Sequence, residues 1–304
     1  MTKYIVKRIV MAIITIFIIS VITFFVMNLV PGGPFNNEKA TSEAVMKILE
    51  ERYNLDKPIP EQYVLYMKNL IFKGDWGVSL KTGRPIWDDL WTRFQISAKL
   101  GIMAAIIAII LGIILGSFAA LKRNKLADRV IVFLTTLATA MPSFVLATLL
   151  MLVFCLKLHL VPVWSATSPN YVLPVIALCL YPMSYITRLT KTSMLDSLNQ
   201  DYIRTAKAKG MPVHKVIFKH ALKNALIPVV TYVGPMVASI LVGSMVVENI
   251  FTIGGLGTSF VSSIVNRDYP MIMAITLFLA ILMVIANLLT DIAYKWIDPR
   301  ISLE

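Results

Sequence analysis

Long uncharged stretches alternate with short, heavily charged ones along the whole chain. The uncharged runs are 9–30, 100–121, 130–156, 171–187, 225–247 and 269–290. Each holds about 17–27 residues, enough to cross a hydrocarbon layer of roughly 30 Å at about 1.5 Å per residue. Backbone polar groups have no water to bond in lipid, so such runs fold as helices. The pattern predicts an all-α membrane protein with six transmembrane helices. The first run follows Lys3, Lys7 and Arg8, as a signal peptide would. It is longer than a signal core, however, and ends in Val30-Pro31-Gly32 without a small-x-small cleavage site, so it reads as a retained span.

The segment between the first two spans, 31–96, carries its own pattern. Pro58 and Pro60 precede Tyr63, Val64, Met67, Leu70 and Ile71, an apolar face at helical spacing. Gly74-Asp75-Trp76-Gly77 reads as a turn. Trp87, Leu90, Trp91 and Phe94 then predict an amphipathic helix for the outer interface, ahead of the second span. The chain thus divides into 1–30, a cytoplasmic end with the first span; 31–96, a structured external loop; and 97–304, a five-span core with a cytoplasmic loop at 188–226.

Composition agrees with this class. Of 304 residues, 57% are hydrophobic and 15% charged, a balance rare in soluble domains. With six spans both termini share one side. That side carries 17 Lys and Arg, against 11 on the other, nine of which lie in the self-neutral 31–96 loop. The positive-inside rule places both termini and 188–226 in the cytoplasm. The net charge of +12 then reflects topology and contact with anionic lipid rather than nucleic-acid binding.

Self-contained chemistry is missing. No G-x-x-x-x-G-K-[ST], H-E-x-x-H or G-x-S-x-G occurs. Ile253-Gly254-Gly255-Leu256-Gly257 reads as a turn. His159, His214 and His220 are scattered, and Cys155 and Cys179 read as small buried apolar residues. Glu248 and Asp291 fall at span ends, as interfacial charges or caps. The midplane acids usual in ion-coupled carriers are therefore scarce. Gly112 and Gly116 permit a close helix approach. Pro142, near Thr135, Thr136, Thr139 and Ser143, predicts either a kink with a polar lining or hydroxyls bonded back to their own helix. The candidates for lining a translocation path are Thr139, Pro142 and Ser143 in the third span and Ser239, Gly243 and Ser244 in the fifth.

Residues 202–228 hold six Lys or Arg and no acid. Asp201 suits the N-cap of a helix over 202–209, Gly210 the left-handed position after it, and Pro212 the first turn of a second helix. That second helix is expected to have Phe218, Ala221, Leu222, Ala225 and Leu226 on one face and Lys215, Lys219 and Lys223 in a stripe. The result is a helix–turn–helix elbow whose tip is small, with Ala206 expected to face a partner's groove. Binding of lipid headgroups is the other reading of its bases.

Arg204-Thr205-Ala206-x-x-x-Gly210 resembles the E-A-A-x-x-x-G coupling signature of binding-protein-dependent ABC importer permeases, with Arg204 in place of Glu. Other segments are similar to the dipeptide/oligopeptide/nickel branch of that superfamily, in order and nearly end to end. They are Val30-Pro31-Gly32, Leu55-Asp56-Lys57-Pro58, Gly74-Asp75-Trp76-Gly77-Val78-Ser79, Gly83-Arg84-Pro85, Lys219 to Pro228, Glu248-Asn249-Ile250-Phe251-x-x-x-Gly255-Leu256-Gly257 and Arg267-Asp268-Tyr269-Pro270. The resemblance implies a type I importer permease fold and a transport subunit, not an enzyme, of a bacterial cytoplasmic membrane. It implies a second homologous permease, two cytoplasmic ABC ATPases that bind ATP and Mg, an external solute-binding protein, and no cofactor on this chain. Arg204, Thr205, Ala206, Lys209, Gly210, Met211 and Pro212 would couple to the ATPases. Peptides are the implied cargo. Nickel or another small solute, a self-contained carrier or channel, and a non-transporting scaffold are the alternatives.

Overall fold

The computed structural model of the chain describes residues 2–30, 33 and 55–297, without the side chains of 2–5, 241–243 and 293–297. The assignment of Val30-Pro31-Gly32 as the end of the first span falls partly outside those residues. The helices are α1 Thr2–Leu29, α2 Ile59–Lys73, α3 Ile86–Leu121 and α4 Leu126–Ala140, then α5 Ser143–Lys157. They continue with α6 Val172–Leu198 and α7 Asp201–Ala208, α8 Val213–Ala225, α9 Ile227–Gly243, α10 Met245–Ile250, α11 Leu256–Asn266 and α12 Tyr269–Ile297. Four of the described helices are long and apolar enough to cross a membrane, or six crossings result if each of two bent pairs makes one.

Those two pairs revise the expected spans. The run 130–156 is not one rod with a modest kink: α4 and α5 meet at 103° across Met141-Pro142. Proline lacks the N–H that would continue the ladder, and it holds the preceding residue extended; Met141 is at ψ 128°. The run 225–247 is also divided, because α8 and α9 meet at 50°, and α9 ends at Gly243 before α10 begins. The Trp-bearing amphipathic segment is not separate from the second span. It is the first part of the 36-residue α3.

The fold comprises two compact units. One is Met1–Ile96 with Gly254–Val284. Its core joins Ile86 and Leu90 of α3 to Leu256 of α11 and to Met271, Ile275 and Phe278 of α12. A second cluster packs Phe24 and Met27 of α1 with Ile272, Met273 and Leu277 of α12, against Tyr63, Tyr66, Met67 and Leu70 of α2. The inward face of α2 is therefore 63-66-67-70. Val64 and Ile71, assigned to it from spacing, are exposed, since each lies about 100° round the helix from an inward neighbour. Between α2 and α3 a tight hairpin pairs Val78 with Pro85. Asp268 holds its base, accepting from Ser79 Oγ at 2.5 Å and from the Leu80 amide at 3.1 Å. Tyr66 has a buried hydroxyl with no hydrogen-bond partner among the described residues. Burial, and secondarily the Asp75 carboxylate, push its phenol well above the usual range.

The other unit is Ser97–Ile253 with Ile285–Glu304. Its axis is α6 lying against α3 and α4. The Gly112–Gly116 pair permits this: a Cβ on Gly112 would stand 2.6 Å from Ile186 Cγ2, and one on Gly116 2.5 Å from the Thr187 carbonyl oxygen. Both separations are shorter than van der Waals contact, so any side chain there would drive α3 and α6 apart.

Candidate functional site

Two features of the second unit carry functional weight. The first is a cavity of about 710 Å³ walled by the end of α4, the start of α5, the middle of α6, and α9 with α10. The 103° break lies in its wall, with Met141 and Pro142 both among the lining residues. Thr139, Pro142, Ser143 and Ser239, four of the six candidates, line it together. Thr139 Oγ1 donates to the carbonyls of Thr135 and Thr136, both at 3.0 Å. Its hydroxyl therefore serves its own helix while the residue lines the cavity. No Asp, Glu, Lys, Arg or His stands in the lining among the described residues. Tyr181, Pro182, Tyr232, Pro235 and Met236 are also in the lining, and the rings of Tyr185 and Tyr232 pack at 4.2 Å between centroids.

Ser244 is not in that lining. It is buried and donates to Glu248 Oε1 one turn on. Gly243 falls among the residues whose surroundings are not described. Glu248 corrects the expectation of an interfacial charge: its exposure is 0%. It lies where α9 gives way to α10, and its neighbours Val246 and Val247 line the cavity. The sequence contained one usable signal, a lone acid closing an apolar run, because a carboxylate so placed is sheltered or functional. The tyrosines were missed for want of a signal, since aromatics are common in spans.

The second feature is the elbow. α7 begins with Asp201 in its first turn, and Gln200 takes the capping position in extended conformation with no side-chain cap bond. Asp201 therefore complements the helix dipole rather than capping. Gly210 is left-handed at φ +72°. The Met211 amide reaches back to the Ala206 carbonyl at 3.2 Å and the Gly210 amide to Lys207 at 3.0 Å, a Schellman-type closure. Pro212 caps α8, its carbonyl accepting from Lys215 and Val216.

Inside the bend, Ile203 and Ala206 pack with Ala120, Met194, Val216, Ala221 and Ala225, and Met211 leans on the same cluster. Ala206 is 5% exposed, so its methyl faces this chain's own core instead of a partner's groove. Phe218, expected on one face with Ala221 and Ala225, is 67% exposed while those two are buried. Residues Val216–Ala221 form π turns, and the wider turn brings i and i+5 onto one face. Val216, Ala221 and Ala225 are inward as a result. The outer surface holds Arg204, Thr205, Lys207, Ala208, Lys209, Gly210 and Pro212, with Lys215, Lys219 and Lys223 beyond. Arg204 lies 3.5 Å from the Asp201 carboxylate, and Thr205 Oγ1 donates to the Asp201 carbonyl at 3.0 Å.

A preformed, base-studded elbow and an uncharged cavity in one apolar helical unit define a membrane transport component, and the comparisons with known proteins agree. Residues 108–303 match the family described as binding-protein-dependent transport system inner membrane component, and residues 1–101 match that family's N-terminal membrane component. The chain belongs to this family. It is similar to the dipeptide transport system permease protein DppB of Bacillus subtilis strain 168, 48% identical with 100% of this chain and 99% of that one covered. It is similar also to the oligopeptide transport system permease protein OppB of Escherichia coli K12, 41% identical over 99% of both chains. Among solved structures, an amino acid ABC transporter with histidines matches at TM-score 0.57 and 14% identity, covering 69% of this chain and 94% of that one. The inward-facing MetNI methionine ABC transporter matches at TM-score 0.55 and 13% identity, covering 68% and 95%. The fold is that of the type I importer permeases.

Proposed function

We propose that this chain is one permease subunit of an ATP-driven importer that moves dipeptides or oligopeptides across a bacterial cytoplasmic membrane. The observation that carries the reading is its end-to-end identity of 48% with a protein named as a dipeptide permease. A second homologous permease completes the path, two ABC ATPases hold ATP and Mg, and an external solute-binding protein delivers the cargo. The cavity is this chain's share of the path. Its uncharged lining suits cargo of varied side chains, because it offers neither a fixed charge to select for nor one to repel. The elbow, with Arg204, Thr205, Lys209, Gly210 and Pro212 outward and Ala206 and Met211 bracing it from within, is the element that the ATPases grip. Their closure would rock it and reorient the spans as rigid bodies.

The test is reconstitution of the whole complex in proteoliposomes with labelled trialanine, with and without internal ATP. Uptake that needs ATP and the binding protein supports the reading. Uptake without ATPases favours a self-contained carrier, and uptake of nickel alone favours the metal alternative. Orientation is tested separately. Single cysteines at Thr82 and Ala208, both exposed, in a background lacking Cys155 and Cys179, are expected to label from opposite sides. Labelling of both from outside the intact cell would reject the topology.

A further inference from the structure

Beside the turn between α3 and α4, a salt bridge joins two helices of the second unit. Asp128, in the first turn of α4, is buried with its side chain 7% exposed, and Lys191 Nζ of α6 reaches its Oδ1 at 2.5 Å. The other carboxylate oxygen accepts from the Asn124 backbone amide at 3.0 Å, and Asn124 is held at φ 65°. One carboxylate thereby ties together the turn, α4 and α6. Surface ion pairs contribute little to stability. Here the carboxylate is buried with both oxygens engaged while the Lys191 side chain is 22% exposed, so removing the lysine strands the Asp128 charge away from water.

The position of the pair gives it a role. α6 carries Lys191 and runs on to the elbow, whose packed cluster includes Met194 of α6 and Ala120 of the α3 end. At the level of Lys191, the Gly116–Thr190 approach presses α3 directly on α6, with Gly116 too close for any side chain. At its other end, α4 lines the cavity from Ala138 to Ala140, and Ala177, Leu178, Tyr181 and Pro182 of α6 line it too. The two helices joined by the pair near the elbow are thus the two that shape the cavity farther along.

We infer that Asp128 and Lys191 are positioning residues for transport: their ion pair locks α4 to α6 so that movement of the elbow reaches the cavity instead of being lost as slippage between the two helices. This rests on the transport reading above and on the elbow as the driven element. With the lock in place, displacement of α6 carries α4 and the Met141-Pro142 break along with it. Without it, ATP hydrolysis continues while the cavity responds weakly.

The experiment uses the full complex with both permeases, the ATPases and the binding protein, reconstituted with labelled trialanine. Asp128→Asn keeps an acceptor for Asn124 but loses the charge, and Lys191→Met keeps the stem but loses the ammonium. The expected result is a fall of about tenfold in trialanine taken up per ATP hydrolysed, per assembled complex, as suits loss of the partner of a buried carboxylate. The double variant D128K/K191D restores the opposed charges but leaves the Asn124 amide without its acceptor, so part of the ratio returns. An unchanged ratio in both single variants overturns the inference. Loss of assembled complex in both also overturns it, making the pair a structural tie. If the unaltered complex takes up neither labelled dialanine nor labelled trialanine with ATP, the transport reading fails instead, which is a separate result.

Discussion

The elbow and the cavity lie in the same unit and are built in opposite ways. The elbow is dense within and charged without. Ile203, Ala206, Val216, Ala221 and Ala225 close on one another, while Arg204, Lys207, Lys209, Lys215, Lys219 and Lys223 stand in the open. The cavity is hollow within and uncharged throughout its described lining. On the proposed function the elbow transmits force, which needs a core that does not deform, and close packing supplies that. On the same proposal the cavity passes varied cargo, which needs volume and few committed polar partners. The contrast is therefore one of rigidity against accommodation, and substitutions should separate the two.

The largest effect is expected at Ala206. Its methyl is inside the elbow, so Ala206→Glu inserts both volume and a carboxylate into a packed apolar cluster, destabilising the bend by about 3 kcal/mol or more. Limited proteolysis near residues 200–212 of the isolated permease should speed up, and pull-down of the ATPases should fall with it. An Ala206→Glu variant whose elbow resists protease like the parent but no longer binds ATPases would restore the partner-facing assignment made from the small residues at the bend. Ala206→Ser, smaller and uncharged, should do far less.

Gly210→Val tests conformation without packing. Nothing lies within 4 Å of where its Cβ would stand, so the penalty comes from the left-handed φ alone, about 1–2 kcal/mol for a residue with a β-carbon. Asn tolerates this region better, and Gly210→Asn should recover most ATPase binding and uptake. If Val and Asn were equally harmful, the side chain would be meeting the partner and strain would not be the cause.

The cavity should respond in activity rather than assembly. Ser143→Phe and Ser239→Phe place a ring in open volume, so membrane insertion and ATPase pull-down should stay near the parent while trialanine uptake drops about tenfold, as displaced cargo geometry commonly gives. Parallel loss of assembly and uptake would mean that these walls are structural helix contacts and would erase the distinction from the elbow.

The two regions also differ in how far the sequence discloses them. The elbow's existence was legible because its determinants are local: Gly210, Pro212 and a run of bases close by in the chain. Its inner face was only half legible. Spacing by four assumed α geometry, and the π turns over Val216–Ala221 moved Phe218 out. Asp201 illustrates a one-residue error of the usual kind at helix ends. The cavity was legible at Thr139, Pro142, Ser143 and Ser239, where hydroxyls and a proline interrupt apolar runs. It was illegible at Tyr181 and Tyr232, because segments about 50 residues apart meet there and no local pattern encodes the meeting. Glu248 was seen but misplaced: an acid closing an apolar run looks interfacial until the Ser244 hydroxyl is found beside it in a buried setting.

The smallest effect is expected at Lys219. Its side chain is exposed on α8, one turn from Lys215 and Lys223, and none of the inward residues of the elbow is among its neighbours on that stripe. Lys219→Ala removes one of several bases facing water or headgroups, and exposed charges are screened over about 10 Å at about 0.1 M salt. Uptake and ATPase binding should therefore change by less than about twofold, in line with exposed charge deletions elsewhere. The combined variant Lys215→Ala, Lys219→Ala, Lys223→Ala sharpens the point. If the stripe mainly meets anionic lipid, the triple loss weakens association of an α7–α8 peptide with phosphatidylglycerol vesicles by about a hundredfold, since each base near such a surface contributes about 1 kcal/mol, and leaves ATPase pull-down intact. If it meets the ATPase, pull-down falls and vesicle binding does not matter to uptake. A large effect from Lys219→Ala alone would move the gripping surface from the Gly210 tip to the α8 flank, and the rigid bend would then serve to present that flank.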